Sequence, residues 1–199
     1  MVGHIINVNG KEIFGYSRYI NFYKQIVDEA KDDDLFVEIG SFLGQSTAAL
    51  GFFVKHSDKR INIHAVDLFE LSEFSDEPHF KVIEDHGGDF LAAFKSNIKE
   101  AGVDEYIKVV KMSSIQASKL YLDRSVSFLM IDASHKYEDV VDDIRAWYPK
   151  LKMGGIISGD DYDWPEVKKA VEDTLGPHSV FEGSTWVIRK NKLSLDDKN

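Results

Sequence analysis

The sequence predicts an α/β fold built on a doubly wound, mostly parallel seven-stranded sheet with helices on both faces. Short β-rich apolar runs alternate with helical stretches along the chain, which is the order of a parallel sheet covered by helices. Seven such runs occur. A tight turn separates the last two, so we expect the sheet to close with a hairpin and an antiparallel last strand.

The apolar runs predict where the strands lie. The first five are LFVEI at Leu35, INIHAV at Ile61, YIKVV at Tyr106, VSFLMI at Val126 and GIIS at Gly155, and the closing pair is SVFEG at Ser179 and TWVIRK at Thr185. Apolar residues at helical spacing predict the helices. These helices cover residues 17–31, 45–55, 89–101, 115–121, 137–151 and 164–175.

The chain length sets the expected domain organisation. A chain of 199 residues, 43% of them hydrophobic, can bury one sizeable core, so we expect a single domain over residues 1–199. Within it we expect an N-terminal helical segment (1–33), a core that carries the chemistry (34–190) and a frayed polar tail (191–199). The aromatic residues of the first segment, among them Tyr19, are typical of simple packing.

Charge and composition exclude some classes of partner. The formal net charge of −10 should repel a polyanion, so we do not expect a nucleic-acid partner. Cysteine is absent, so any metal must sit on oxygen or imidazole, and this composition fits a reducing compartment. We find neither a signal-peptide pattern nor an apolar run of about 20 residues, and therefore expect a soluble cytoplasmic protein without membrane association.

A glycine turn follows the first predicted strand of the sheet. In FVEIGSFLGQSTAAL, Gly40 and Gly44 bracket the turn that leads into a helix near Gln45. Glycine lets the backbone approach a ligand, and free amides at a helix start favour a carboxylate or phosphate. The pattern has two glycines rather than the three of a dinucleotide fingerprint, so NAD is the weaker prediction. A tight turn with no ligand is the alternative.

Asp67 ends the second predicted strand, in IHAVDLFE. Ligands bind at this edge of open parallel sheets, and a carboxylate can accept both hydrogen bonds of a ribose diol. An aspartate after a strand is also an ordinary helix N-cap. The spacing from Glu38 favours the ribose role.

Acidic residues follow the fourth and fifth predicted strands. Asp132 follows SFLMI, and Asp160 and Asp161 follow GIISG. Carboxylates that meet at adjacent strand ends repel one another unless a cation is bound or some are protonated. Such an oxygen set suits Mg²⁺ first, with Mn²⁺ or Ca²⁺ as alternatives, better than zinc. The competing interpretation is that these aspartates only cap the next helix.

His135 lies in the loop beyond the fourth predicted strand, near these carboxylates. A neutral imidazole there is suited to take a proton from a hydroxyl whose acidity a metal has raised. A solvated loop histidine is the alternative. Residues 71–88 form a polar insertion, which we predict to be a lid or a wall for the acceptor, with a surface excursion as the alternative.

The segments IDASHKYEDVVDDIRAWYPKLKMGG and GDDYDWPEVKKAV resemble class I S-adenosylmethionine-dependent methyltransferases of the Rossmann-like fold, and within them a small group related to catechol-type and macrolide-sugar O-methyltransferases. The resemblance covers residues 35–190. It implies a metal at Asp132, Asp160 and Asp161, and catalytic roles for His135 and Asp132. Histidine stands where catechol-type enzymes often place lysine, so the identity of the base stays open.

The resemblance also implies a cofactor site. Glu38, Gly40 and Ser41 would line the methionine end of S-adenosylmethionine, Asp67 would bind its ribose, and Ser114 would touch the adenine. The complete predicted set is Glu38, Gly40, Ser41, Gly44, Ser46, Asp67, Leu68, Ser114 and Asp132.

The implied reaction is metal-assisted methylation of a small-molecule hydroxyl, such as that of a sugar or a natural-product intermediate. A phenolic or catechol hydroxyl is the second predicted class of acceptor. The resemblance also implies a homodimer. Three alternatives stay open: a nucleotide-using oxidoreductase, a metal-dependent hydrolase and a catalytically inactive cofactor-binding protein.

Overall fold

The structure is a computed structural model that describes residues 3–70, 77–85 and 87–191. A two-stranded hairpin, β1 (His4–Val8) and β2 (Lys11–Gly15), precedes a central sheet of seven strands. In chain order, the strands of the sheet are β3 (Asp34–Ile39), β4 (Ile61–Asp67), β5 (Ile107–Lys111), β6 (Val126–Ile131), β7 (Leu151–Gly159), β8 (Ser179–Phe181) and β9 (Thr185–Arg189).

The order of strands across the sheet is β5-β4-β3-β6-β7-β9-β8. Strands β3 to β7 are parallel, whereas β9 pairs antiparallel with both β7 and β8. The predicted fold class is therefore confirmed, including the closing hairpin. Strand order reverses between β3 and β6, and open α/β sheets bind ligands at the carboxyl ends of the strands at such a reversal.

The helices are α1 (Ile20–Glu29), α2 (Gln45–Lys55), α3 (Glu77–Asp85), α4 (Phe90–Glu100), α5 (Ser114–Ser118), α6 (Tyr137–Trp147) and α7 (Pro165–Leu175). All six predicted helices are present, although several end earlier than predicted. Local signals set some ends: the Asp89 side chain accepts from the Ala92 amide at the start of α4, and Pro165 opens α7. Among the described residues, none of the helices is long and apolar enough to cross a membrane.

Helices cover both faces of the sheet. Because successive residues of a strand point to opposite faces, Phe36 and Val37 of β3 enter different hydrophobic clusters. The Phe36 cluster includes residues of α1, α2 and α4, namely Tyr23, Leu50 and Phe94. The Val37 cluster includes residues of α5, α6 and α7, namely Ala117, Ile144 and Val171.

The N-terminal segment differs from its predicted structure. A helical segment over residues 1–33 is wrong for residues 4–15, which form the β1–β2 hairpin, and only α1 is helical there. The turn consists of Asn9 and Gly10, both with positive φ (52° and 88°). Asn-Gly between two strands is the favoured two-residue hairpin turn, so the signal was present in the sequence.

The polar insertion over residues 71–88 contains the helix α3, which the sequence analysis did not predict. Buried Ile83 of this helix packs with Leu43 of the glycine turn and Ala93 of α4. The helix is thus docked beside the predicted cofactor turn. Residues 71–76 and 86 lie outside the described part of the chain, as does the predicted tail beyond Asn191.

The ends of β3 and β6 approach each other very closely. The Asp132 amide donates to the Ile39 carbonyl at 2.8 Å, and the Gly40 amide donates to the Val66 carbonyl of β4 at 2.9 Å. Gly40 has φ +83°, and a Cβ added to it would lie 1.8 Å from the Asp132 carbonyl oxygen. Only glycine fits this position.

Gly40→Ala should therefore destabilise the fold more than Gly10→Ala, which is a matched control. Gly10 has a similar φ of +88°, but no heavy atom lies within 4 Å of a Cβ added there. We expect Gly10→Ala to cost roughly 1–2 kcal/mol of strain and Gly40→Ala roughly 1–3 kcal/mol more from overpacking. Urea unfolding measures both. Equal losses would contradict the steric argument.

Candidate active site

Asp67 ties together the turns that follow β3 and β4. Its Oδ2 accepts from the amides of Ser41 (2.8 Å) and Phe42 (3.1 Å), and its Oδ1 accepts from the Phe69 amide (2.7 Å). The next described helix begins only at Glu77, so Asp67 does not act as a helix cap. A carboxylate has about four acceptor positions, which leaves one for a ribose hydroxyl. The ribose role stays a prediction.

Glu38 lies beneath the glycine turn and is fully buried. Its carboxylate accepts from the hydroxyls of Tyr23 (2.6 Å), Ser41 (3.1 Å) and Thr47. Burial raises the pKa of Glu38, and these hydroxyl donors partly offset the rise. The glutamate thus connects α1, the turn and the first residues of α2. Its predicted contact with the methionine end of the cofactor stays a prediction.

Helix α2 begins directly after the turn. Gly44 adopts a left-handed conformation (φ +85°), and a Cβ added there would lie 3.0 Å from the Phe94 ring. Ser46, in the first turn of α2, is buried beside Glu38. The first amides of a helix have no carbonyl partner within it, so this end of α2 is suited to a carboxylate ligand.

Exposed apolar side chains mark the ends of β4 and β5. Leu68 is 49% exposed, and Met112 and Ile115 are 37% and 39% exposed. The Met112 amide donates to the Asp67 carbonyl, which places the two strand ends side by side. Such side chains can pack against a flat base. The Ser114 hydroxyl, predicted to touch the adenine, instead accepts from Trp147 Nε1 at 2.8 Å, and the sequence analysis missed Met112 and Ile115.

Asp132, His135 and Asp161 meet at the ends of β6 and β7. Each offers one ligand atom, and these atoms lie within 4.8 Å of one another. Asp160, predicted to complete the metal set, is not in this group. Its buried carboxylate instead lies 3.4 Å from the side chains of Thr185 and Arg18. In the structure, His135 rather than Asp160 completes the group of possible metal ligands.

His135 is held in a fixed position. Its Nε2 lies 2.7 Å from Asp161 Oδ2, and its ring packs on Trp164 with the centroids 4.5 Å apart. The neighbouring Asp161 carboxylate raises the pKa of His135, because it favours the charged imidazolium. His135 is therefore held by two contacts rather than free in solvent, and its role as a base stays a prediction.

Asp132 lies between the cofactor turn and His135. Its Oδ2 accepts from the Tyr19 hydroxyl at 2.6 Å. Burial raises the pKa of Asp132, and the nearby charges of Asp160 and Asp161 raise it further. Tyr19, which the sequence offered only as a packing aromatic, therefore has a polar role at the site.

Arg18 is a further residue of this site that the sequence did not indicate. Its Nη2 donates to Asp161 Oδ1 at 2.7 Å, and its Nη1 and Nη2 bind both oxygens of Asp163 at 3.1 and 3.0 Å. Its Nε lies 3.4 Å from Asp160 Oδ2. These carboxylates raise the pKa of Arg18 further above its ordinary range. The acidic cluster of Asp132, Asp160, Asp161 and Asp163 thus already contains a cation.

The residues fit a divalent ion only in part. Asp132, His135 and Asp161 provide two carboxylates and an imidazole, a donor set that is less suited to Mg²⁺ than the predicted oxygens. The recess between them has a volume of about 10 Å³, room for about one water molecule, whereas protein-bound Mg²⁺ usually keeps several waters. Arg18 would also repel the ion.

A cavity with a volume of about 510 Å³ lies elsewhere. It is lined by residues of β1, α1 and α2. Its lining includes Arg18 but not Gly40, Asp67 or Asp132. The strand-end geometry, rather than cavity size, therefore locates the candidate site.

A family model described as a methyltransferase domain matches residues 37–162, which is more than half of the chain. The chain belongs to this methyltransferase family. The match begins at β3 and includes Glu38, the glycine turn, Asp67, His135 and Asp161. It does not include the segment that carries Arg18 and Tyr19.

Other proteins resemble this chain in sequence or in fold. Uncharacterized protein R132 of Acanthamoeba polyphaga mimivirus is 26% identical over 184 residues, which are 86% of this chain and 76% of R132. The O-methyltransferase NovP superposes with a TM-score of 0.64 at 15% identity, over 87% of this chain and 79% of NovP. The calicheamicin methyltransferase CalS11 superposes with a TM-score of 0.60 at 18% identity, over 85% of this chain and 76% of CalS11.

The protein is therefore a methyltransferase of the class I fold, and membership in this family supports S-adenosylmethionine as its cofactor. The likeness to NovP and CalS11, at these identities, concerns the fold alone. The oxidoreductase and hydrolase alternatives are not favoured by this assignment.

The buried Glu38 carboxyl should leave a pH signature in stability. Because its pKa is raised in the folded state, the folded protein holds this proton more tightly than the unfolded chain. The free energy of unfolding contributed by Glu38 is therefore largest below the ordinary pKa and falls as the pH rises to the raised value. Glu38→Gln cannot titrate, so its stability relative to wild type should improve over this pH window.

Urea unfolding of the Glu38→Gln variant and wild type, compared at a series of pH values, measures this effect. Glu105→Gln, at an exposed position, is the control. A Glu38→Gln difference that is as flat with pH as that of the control would contradict the proposed burial of an ionisable carboxyl.

Proposed function

We propose that this protein transfers a methyl group from S-adenosylmethionine to a hydroxyl of a small molecule. The observation that carries the proposal is the His135–Asp161 pair, whose 2.7 Å contact lies at the strand ends beside Asp132 and the glycine turn. A positioned base is what a neutral hydroxyl acceptor needs. The fold likeness to NovP, described as an O-methyltransferase, supports the same choice.

The cofactor would lie across the reversal point of the sheet. Its carboxylate would meet the amides at the start of α2, and its methionine end would lie along Gly40 and Ser41. Its ribose would use the remaining acceptor position of Asp67. Its adenine would pack against Leu68 and Met112.

The protein's part in the reaction is to orient the acceptor and to take its proton. Bound S-adenosylmethionine supplies an electrophilic methyl group. His135 Nδ1 would accept the proton of the acceptor hydroxyl as the acceptor oxygen bonds to the methyl carbon and the sulfur–methyl bond breaks, which leaves S-adenosylhomocysteine. Asp161 holds Nε2 and stabilises the imidazolium that forms. Asp132, on the cofactor side, would accept a hydrogen bond from a neighbouring hydroxyl of the acceptor.

A sugar hydroxyl is the acceptor that we propose first. CalS11, a structural neighbour, is described as a TDP-rhamnose 3′-O-methyltransferase. A polyol carries further hydroxyls beside the reacting one, and one of them can donate a hydrogen bond to Asp132. Phenolic and catechol hydroxyls come second. The predicted divalent ion and the predicted homodimer stay proposals, and no step above depends on either.

A methyl-transfer assay tests the proposal. Methyl-labelled S-adenosylmethionine is incubated with a panel of nucleotide sugars, free glycosides and phenols, and labelled product is counted together with S-adenosylhomocysteine. We expect transfer to at least one hydroxyl acceptor. Binding of the cofactor without transfer to any acceptor would favour the inactive cofactor-binding alternative and contradict the proposed activity.

His135→Gln should lower kcat by roughly 10²-fold or more because it removes the base. The affinity for S-adenosylmethionine, measured by calorimetry, should stay at the wild-type value. His56→Gln, at an exposed position on the far end of α2, is the control and should leave both quantities unchanged. A normal kcat in His135→Gln would exclude His135 as the base.

A further inference from the structure

We propose that Arg18 is the resident cation of the acidic cluster and that its guanidinium takes the place of a divalent metal ion. The sequence predicted a divalent metal ion to balance the aspartates at these strand ends. Here an arginine from the N-terminal segment contacts the same carboxylates. The catalytic consequence rests on the proposed function, whereas the exclusion of metal does not.

The carboxylates of the cluster occupy most of the hydrogen-bond donors of the Arg18 guanidinium. Four of its five N–H groups are directed at carboxylate oxygens, with a two-point contact to Asp163 and single contacts to Asp161 and Asp160. Asp160 and Asp161 are almost completely buried, at 4% and 2% exposure. Buried carboxylates need a counter-charge, and Arg18 supplies it.

The backbone on both sides of Arg18 is anchored. The Ser17 amide donates to Gln45 Oε1 at 3.1 Å, and the Tyr19 hydroxyl donates to Asp132 at 2.6 Å. Tyr23, one turn further along α1, binds Glu38. Contacts to α2, to β3 and to the residue after β6 therefore fix the segment that carries Arg18. A metal ion could not displace the Arg18 side chain by moving this segment without breaking those contacts.

Three of the four carboxylate oxygens of Asp132 and Asp161 already have partners. Asp161 Oδ1 accepts from Arg18, and Asp161 Oδ2 pairs with His135 Nε2. Asp132 Oδ2 accepts from the Tyr19 hydroxyl. A divalent ion would have to break these contacts and share the cluster with a guanidinium of the same sign.

Arg18 is thus a positioning residue in the proposed reaction. It holds Asp161 through Oδ1 while Asp161 holds His135 through Oδ2, so the arginine orients the base through one carboxylate. Lysine carries the same charge but lacks the planar fork that binds several carboxylates at once. Arg18→Lys should therefore keep the positive charge in the cluster but orient Asp161, and through it His135, only in part.

A Mn²⁺ titration followed by electron paramagnetic resonance tests the proposal without any turnover. The proteins are wild type, Arg18→Gln, Arg18→Lys and Arg60→Gln, where Arg60 is an exposed arginine that pairs with Asp32 and Asp33. We expect Arg18→Gln to bind one Mn²⁺ at least 10-fold more tightly than wild type. Arg18→Lys and Arg60→Gln should behave as wild type.

A second substitution locates the ion. Adding Asp161→Asn to Arg18→Gln should abolish the gained Mn²⁺ site. Wild-type protein that binds Mn²⁺ as tightly as Arg18→Gln would overturn the proposal, as would a folded Arg18→Gln that gains no binding. If Arg18→Gln does not fold, the wild type decides: Mn²⁺ binding that Asp161→Asn removes overturns the proposal, and its absence supports it.

The proposed function is separated from this inference by two further measurements. Calorimetry with S-adenosylmethionine on the same proteins reports the cofactor site, and its failure would contradict the methyltransferase account while the Mn²⁺ result stands. Once an acceptor is known, wild-type turnover should be insensitive to EDTA. A loss of 10-fold or more of the wild-type rate on chelation, restored by Mn²⁺, would overturn the role of Arg18.

Discussion

The close approach of the ends of β3 and β6 is the constraint on which the site depends. Gly40 lies against the Asp132 carbonyl so tightly that no side chain fits between them. This contact occurs where the strand order reverses, so the crevice opens at this point of the sheet edge. It brings the cofactor turn and the first acidic residue of the catalytic cluster to one place, and the remaining site residues are arranged around that pair.

The N-terminal segment completes the site from outside the part of the chain that matches the family. Tyr23 binds the buried Glu38 under the turn, Tyr19 binds Asp132, and Arg18 binds the aspartates after β7. Three side chains within six residues of one another thus reach three strand ends. The result is a candidate site whose carboxylates are balanced by hydroxyl donors and a guanidinium of the same chain, with His135 held by Asp161.

Much of the fold follows from local patterns. Each strand of the central sheet is a short apolar run, and the helices between them follow the 3.6-residue spacing, so their positions were predictable. The β1–β2 hairpin was overlooked although Asn9 and Gly10 signal it. Helix α3 lies in a polar stretch that we interpreted as an insertion, and its docking through Ile83 is a tertiary effect.

The placement of Gly40, Asp67, Asp132 and His135 at the ends of the strands was predictable from the strands alone, whereas their roles stay predictions. The site was not predictable where a partner comes from far along the chain. Arg18 and Asp161 are 143 residues apart, and the local sequence around either residue carries no pattern that predicts their contact. For the same reason the metal set predicted from three aspartates did not anticipate that Asp160 faces Arg18 and Thr185 instead.

Calorimetric binding of S-adenosylmethionine and S-adenosylhomocysteine to wild type and to Asp67→Ala tests the central claim most directly. The account predicts micromolar binding to wild type that is weakened at least about 10-fold in Asp67→Ala, because that carboxylate both orders the turn and faces the ribose. Circular dichroism would verify that the variant is folded. Wild-type protein that binds neither compound would contradict the account.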